Sequence, residues 1–277
     1  MQFPNSLRSI YLAFMIGNCG GIACFSQEIA ATSQADYRED LKRLVASYEL
    51  KVPDKHDSKP ILLDNPIFSW TNPRRTSEGG SLFLWTLSGR PLATMGIWKM
   101  SDSPNGYELQ SLSTTPLTAE SDRLSSWATK APGVVFANIE GEDEANINPR
   151  LRLAQMRSIA LKHFSATLDP DTPESENLRL ISTPVFRYVD MPTGVVDGAM
   201  FAFAQDTDPE VFLILEARKP VDNGSSWFFA MAPSTSHGVK GIYQEKVVLS
   251  TIRVMVASSR DNGTYMLRFW NDKTIKK

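Results

Sequence analysis

Along most of this chain, apolar residues fall in short runs bounded by glycine, proline, asparagine and aspartate. Runs of that kind, rich in β-branched and aromatic residues, predict β-strands. In the first half they are Ile67–Trp70, Ser81–Leu87, Ala93–Met100 and Tyr107–Ser113, with Trp127 and Val134–Ile139 marking two more. Ser81–Leu87 is apolar on both faces, as a central strand is when covered on both sides. In the second half the runs are Val185–Val189, Ala199–Ala204, Val211–Arg218, Trp227–Ala232, Lys246–Ala257 and Thr264–Trp270. Ser88-Gly89-Arg90-Pro91 reads as a turn. Pro104-Asn105-Gly106 and Asp261-Asn262-Gly263 read as hairpin turns, because Asn-Gly takes the positive φ values of a type I′ turn. The polar tail 271–277 is expected to fray.

Two segments carry helical spacing instead. In Asp36–Tyr48, the residues Tyr37, Leu41, Leu44, Val45 and Tyr48 share one face. The polar stretch 51–59 that follows reads as a linker. Pro149–Leu168 places Leu153, Met156, Ala160 and Phe164 on one stripe and Arg150, Arg152, Arg157 and Lys162 mostly on other faces. Those cations fit a solvated helix face or an anion site, with solvation the leading reading. Asp169-Pro170-Asp171-Thr172-Pro173 is expected to end this helix, since proline cannot continue one.

The two β regions read as copies of one unit. Pro184 lies 118 positions after Pro66, and the same offset pairs Phe68 with Phe186, Gly80 with Gly198 and Phe83 with Phe201. It also pairs Pro91 with Pro209, Asn105 with Asn223 and Gly106 with Gly224. Between them lie conservative matches such as Trp70/Tyr188, Trp85/Phe203 and Ile97/Leu215. The matches fall on turns and on alternate core positions, which fix hairpin geometry and strand register. Adding two residues brings Tyr107 onto Trp227, so the register slips after the hairpin. The expected fold is α+β and mainly β. Two duplicated antiparallel units form a pseudo-twofold sandwich or barrel, with an N-terminal helix and one central crossover helix covering an opening or edge. The expected divisions are 1–26 export signal, 27–60 helix and linker, 61–140 first β repeat, 141–178 acidic loop and central helix, and 179–277 second β repeat with a C-terminal hairpin.

The first residues change the picture of where the protein works. Arg8, the apolar run Ile10–Gly17 and the small residues before Ser26 have the charged, apolar, small-residue order of a secretory signal. The run is too short to span a bilayer. Two endings fit: cleavage after Ala23 or slightly beyond, or lipidation of Cys24, against which Gly21 stands where a large aliphatic is usual. Both cysteines, Cys19 and Cys24, lie in this leader, so the mature chain has no disulfide, no thiol nucleophile and no thiolate zinc site. Without the leader, Lys+Arg falls from 29 to 28 against 31 Asp+Glu, and the formal charge moves from −2 to −3. That balance gives no basic footprint for nucleic acid. No later segment is apolar enough for a transmembrane span.

Candidate chemistry is sparse. His56, His163 and His237 are far apart in sequence, no metal-ligand spacing occurs, and no Gly-x-Ser-x-Gly elbow nominates a nucleophile. No glycine-rich phosphate loop is present, so neither a catalytic residue nor a cofactor is assigned. The acidic stretches Glu140–Glu144 and Asp206–Glu210 fit either a loose calcium site or solvated turns, with solvated turns the leading reading and the second closing a hairpin. Glu216 and Arg218 end an apolar strand on one face, where a pair or a ligand contact can form; the positions 118 earlier are Trp98 and Met100. His237 lies in the loop Pro233–Gly238. Glu216, Arg218 and His237 are the candidate binding residues. Trp70, Trp85, Phe201 and Phe203 read as core.

Several strings together resemble a family of uncharacterised exported proteins from planctomycete bacteria: Ser81–Pro91, Glu108–Ser113, Arg152–Arg157, Asp197–Phe203 and Asp208–Arg218. The resemblance spans roughly residues 63–256. It implies export and this architecture, and it supplies no activity. The leading expectation is an exported, periplasmic, envelope-associated or secreted bacterial protein without catalysis, a binding or scaffold domain for a small apolar or amphipathic ligand or an envelope protein. The rival is an exported hydrolase whose site assembles from distant residues. Intact-mass measurement of the exported chain should show a loss ending between Ala23 and Ser26; a diacylglycerol adduct on Cys24 would instead establish the anchor.

Overall fold

A computed structural model of the chain describes residues 39–53, 59–72, 77–100, 105–169, 174–219, 226–254 and 263–270. The leader, the Asp54–Ser58 part of the linker with His56, and the tail therefore lie outside the described residues. The chain divides into two units, Met1–Asp40 and Leu41–Lys277. In the first, the described residues Glu39 and Asp40 are helical; everything that follows concerns the second.

Residues 41–46 are helical (α1) and run into β1 (Tyr48–Lys51), so Tyr48 belongs to a strand and not to the helix its spacing predicts. After β2 (Ile61–Leu62) comes a meander of β3 (Phe68–Asn72), β4 (Ser77–Leu87), β5 (Arg90–Met100) and β6 (Asn105–Ser111). The short strands β7 (Thr118–Ser121), β8 (Trp127–Ala128) and β9 (Ala137–Asn138) follow. Helix α2 (Pro149–His163) then leads into β10 (Phe164–Asp169) and β11 (Glu176–Asn177). A second meander consists of β12 (Arg179–Asp190), β13 (Val195–Gln205), β14 (Asp208–Arg218) and β15 (Ser226–Pro233). The last strands are β16 (Gly238–Tyr243), β17 (Lys246–Ser250) and β18 (Tyr265–Trp270).

The fold is thus mainly β, with several antiparallel sheets and none closed among the described residues. One large sheet has the order β18-β6-β5-β4, with β2 and β3 both pairing β4. The other has the order β12-β13-β14-β15-β9. Smaller sheets are β1-β7-β8 and β11-β10-β16-β17. β9 follows the first meander yet pairs with β15, and β18 follows the second yet pairs with β6.

Period two explains the layers. On one face, Leu82 and Leu84 of β4 and Trp70 of β3 share a buried cluster with Met200, Ala202, Phe212 and Ile214 of the second sheet. The alternate residues Phe201, Phe203, Leu213 and Leu215 face the other way, onto Met156 and Ile159 of α2 and Phe164 and Leu168 of β10. A sheet buried on both faces needs continuous apolar strands, which is why Ala199–Ala204 and Val211–Leu215 carry no polar alternation. α2 therefore covers the outer face of the second sheet, not an opening or edge between two units. On the first sheet's outer face, Trp85 meets Tyr48 of β1 edge-to-face at 6.5 Å.

α2 is shorter than its sequence pattern predicts. Asn148 caps it through its side chain, with Pro149 opening the first turn. It ends at His163 because the next six residues alternate buried and outward and pair with β16. Their inward residues Phe164, Ala166 and Leu168 fit a strand as well as a helix stripe, and tertiary pairing decides between them. The Asn105-Gly106 turn is also corrected: both residues are strand, paired with Trp270 and Phe269. A Cβ on Gly106 would lie 2.3 Å from the Trp98 indole, so the glycine serves close packing.

Positions 118 apart play matching parts. β4 and β13 begin and end at that offset, as do β5 and β14. Register shifts fall at Ser77/Gly79 and Trp85/Thr86 in one pairing and at Val195/Asp197 and Phe203/Ala204 in the other. Ser88 and Asp206 open the two hairpin turns, each with φ 53°. The turns also dock reciprocally. Thr207 Oγ1 accepts the Thr71 N–H at 3.0 Å and donates to the Thr71 carbonyl at 2.8 Å. A Cβ on Gly89 would lie 2.8 Å from the carbonyl oxygen of Val189. β1 and β10 likewise share the offset over Tyr48–Lys51 and Ala166–Asp169, and their partners slip by two: Lys51 opposes Thr118, and Asp169 opposes Gly238.

Glycine is required where an aromatic ring crosses a strand. A Cβ on Gly80 would lie 2.2 Å from the Trp70 ring, and one on Gly198 would lie 2.3 Å from the Tyr188 ring. Gly198→Ala should lower stability by about 1–3 kcal/mol, as overpacking of a tight core does. Urea unfolding with an unchanged m-value checks this, and an effect below about 0.5 kcal/mol would show that the ring moves freely.

Candidate functional site

Two rows of side chains, at equivalent places in the two large sheets, carry most of the polar and aromatic chemistry. In the second sheet Tyr188, Gly198 and Glu216 are paired neighbours on one face, followed by Phe228. The missing side chain of Gly198 lets the Tyr188 ring lie across the strand, where its hydroxyl donates to Glu216 Oε1 at 2.6 Å. In the first sheet the same row reads Trp70, Gly80, Trp98, Gly106 and Phe269.

Glu216 is fully buried. A carboxylate without water must be held by opposite charge and hydrogen bonds. Arg90, from the first hairpin turn, reaches across to it with Nε 2.8 Å from Oε1 and Nη2 3.0 Å from Oε2. Arg218 donates from Nε to Oε2 at 2.6 Å. Both guanidinium groups lie over Phe136, at 4.6 Å for Arg90 and 4.4 Å for Arg218, and Arg218 is covered again by Phe228 at 4.5 Å. The structure therefore brings the sequence candidates Glu216 and Arg218 together as a pair. It adds Arg90, Tyr188 and Phe136, which lie far away in sequence. This clamp ties the first hairpin turn to β14.

A second buried carboxylate, Asp197, lies beside it on the opposite face of β13. It accepts from Arg152 Nε at 2.8 Å and from Arg187 Nε at 2.9 Å. The bond to Asp197 holds the Arg187 guanidinium above its ordinary value, outweighing burial. Arg152 is thus fixed to the sheet and is not part of a solvated face or an open anion site. Arg157 donates to the Ser182 carbonyl at 3.1 Å. The acidic loop is committed as well: Glu142 Oε1 lies 2.8 Å from Lys162 Nζ and 2.5 Å from His163 Nε2 at the end of α2. Hydrogen bonds from His163 and then Lys162 lower the Glu142 carboxyl below its ordinary range. The Asp206–Glu210 turn closes the β13–β14 hairpin, with Asp206 accepting from Arg179 through its carbonyl.

A separate space lies away from the clamp, among side chains of both large sheets and of the segments that follow them. A pocket of about 330 Å³ is lined there by Trp70, Trp98, Phe269 and Leu267 on one side. Glu108, Asp208, Arg253 and the segment Ser234–His237 complete its wall. Its floor is the aromatic row of the first sheet. Trp98 meets Phe269 edge-to-face at 6.4 Å. Glu108 accepts the Tyr265 hydroxyl, a neutral donor that leaves the carboxylate charge in place. Thr235 Oγ1 accepts the His237 N–H at 3.2 Å, which folds that loop back on itself, and His237 Nδ1 is buried. Among the sequence candidates, His237 lies at this pocket, apart from Glu216 and Arg218. Trp70 is core, as read, and also pocket lining; Trp85, Phe201 and Phe203 are core alone. Trp98 and Glu108 went unselected because each looks like an ordinary strand residue, and Asp208 because it reads as part of a solvated turn that closes a hairpin. The available signal was Asp208, 118 positions after Arg90.

No helix among the described residues is long and apolar enough to cross a membrane. Comparison of the chain with family models, curated proteins and solved structures gave no match.

Burial, with the neighbouring Glu216 charge behind it, raises the Tyr188 phenol well above its ordinary 10.0. Burial raises Tyr48 too. The unfolded chain releases these protons first. Their contribution is complete below pH 10 and is lost as pH rises towards the folded values, by up to about 1.4 kcal/mol per pH unit for each phenol. Chemical denaturation from pH 8 to 11 should show a stability that falls above pH 10, with a shallower fall in Tyr188→Phe. Equal slopes in the two proteins would contradict this.

Proposed function

We propose that this chain is an exported, non-catalytic binding protein whose site is the pocket floored by Trp70, Trp98 and Phe269. The observation that carries the reading is the pocket itself: a concave space of about 330 Å³ with an aromatic floor and a polar wall, the composition of small-molecule sites. An amphipathic ligand fits it, its apolar body on the rings and its polar groups against Glu108, Asp208 and the Ser234–His237 loop. The leader supports export to the periplasm, the envelope or the medium. The resemblance of several strings to exported planctomycete proteins supports a bacterial source.

The architecture behind the site is a gene duplication forming a pseudo-twofold sandwich. Its support is the 118-residue offset, the matched register shifts, and the helix-then-strand pairs α1–β1 and α2–β10 in each half. Each half also contributes a terminal strand, β9 or β18, to the other's sheet. In this reading α2 belongs to the second copy instead of linking two β repeats. The Arg90–Glu216 clamp ties the first hairpin turn to β14, and the binding pocket lies away from it.

Ser234, Ser236, His237 and Asp208 share one wall, and that observation favours the second reading, a hydrolase. A fragment screen by ligand-observed NMR, run beside a panel of chromogenic ester, glycoside and peptide substrates, separates them. Fragments should bind wild type, lose binding in Trp98→Ala, and meet no turnover. Turnover abolished by His237→Ala would overturn the binding reading.

A further inference from the structure

Resting on the binding reading above, we infer that the pocket takes a hexopyranose, a sugar ring stacked on its indoles with its hydroxyls on the polar wall. The floor is built for stacking. A Cβ on Gly80 would lie 2.2 Å from Cζ2 of Trp70, and one on Gly106 would lie 2.3 Å from Cζ2 and Cε2 of Trp98. Each indole therefore lies across a glycine, broadside to the sheet, and both line the cavity. Trp98 is only half-buried, and Phe269 stands nearly perpendicular to it at 84°. The rings are gathered on one side. The rest of the wall is polar, with the hydroxyl residues Ser234, Thr235 and Ser236 and the carboxylates Glu108 and Asp208.

A pyranose matches both surfaces at once. Its axial C–H groups make an apolar face for an aromatic ring, and its hydroxyls spread around the rim, each a donor and an acceptor. Serine and threonine hydroxyls both give and take such bonds, and a carboxylate offers about four lone-pair sites, so one partner does not exhaust it. Glu108 already accepts an O–H donor, the Tyr265 hydroxyl, of the kind a sugar brings. A neutral ligand also makes no demand on the net charge of the wall. An aliphatic ligand would leave the polar wall without hydrogen bonds. A flat aromatic ligand would stack on the floor and turn its second apolar face to that same wall. The volume of about 330 Å³ is at the low end of ligand sites, about 300–1,000 Å³, and suits a single sugar ring better than a chain.

The test uses the mature chain and the methyl glycosides of D-galactose, D-glucose and D-mannose, with 2-phenylethanol and adenosine as apolar and flat aromatic rivals. Ligand-observed NMR titration should find at least one glycoside bound in the millimolar range, as befits so small a ligand, and at least as tightly as either rival. Ring C–H protons of one face should take most of the saturation transfer and shift upfield, as protons over an indole do. Trp98→Ala should weaken that glycoside about tenfold, and Trp98→Tyr should largely restore it, with near-ultraviolet circular dichroism checking the fold. The upfield shift is read in the wild type, so the sugar assignment stays testable if Trp98→Ala fails to fold. If a rival binds more tightly than every glycoside, or a glycoside binds without the upfield shift, the pocket stands and the sugar assignment falls. The same holds if the fragment screen finds ligands and no glycoside binds. If no probe binds at millimolar concentration and the fragment screen is also empty, the binding reading itself falls.

Discussion

The crossing of an aromatic ring over a glycine is the constraint from which both the clamp and the pocket floor follow. At Gly198 it lets Tyr188 lie flat and touch Glu216. At Gly80 it lets Trp70 lie flat against the strand beside Trp98, and at Gly106 the Trp98 ring does the same. A β-carbon at any of these places would lift the ring off the sheet, and the inner layer could not pack at interior density. The same device therefore builds a charged clamp in one sheet and an aromatic floor in the other.

What the rows hold differs because of single side chains at matching positions. Glu216 is a fully buried charge, and such a group is held only by excellent geometry. Two guanidinium groups and a phenol supply it, and two rings cover the cations. This arrangement is a poor source of net stability, since desolvation offsets much of the attraction. Its consequence is specificity: Arg90 of the first meander meets its partner only when the two sheets face each other in one register. The exchange of β9 and β18 acts in the same direction, because each large sheet is completed by a strand from beyond the other meander.

Packing on both faces of the second sheet explains its sequence. With α2 and β10 outside and the first sheet inside, β13 and β14 have no solvated face, so hydrophobic alternation disappears. The buried carboxylates in these strands, Asp197, Glu210 and Glu216, stand out against that background. Two of them anchor arginines that arrive from other elements: Arg152 from the helix and Arg90 from the opposite hairpin.

The sequence by itself determined the mainly β class, the central strands, both helices and the internal offset, since these rest on local periodicity and on turn chemistry within a few residues. It also marked Glu216 and Arg218, because charge at the end of an apolar strand is a local anomaly. It could not separate strand from helix at Phe164–Asp169, where buried residues satisfy either period and pairing with β16 decides. It misread Asn105-Gly106, where the glycine answers to the ring of Trp98 and not to a turn. The pocket was the least legible feature. Trp98 and Glu108 are ordinary strand residues one at a time, Asp208 an ordinary turn residue and His237 an ordinary loop residue. They become a site only when two sheets face each other, because convergence in space is a property of long-range pairing that no local pattern encodes.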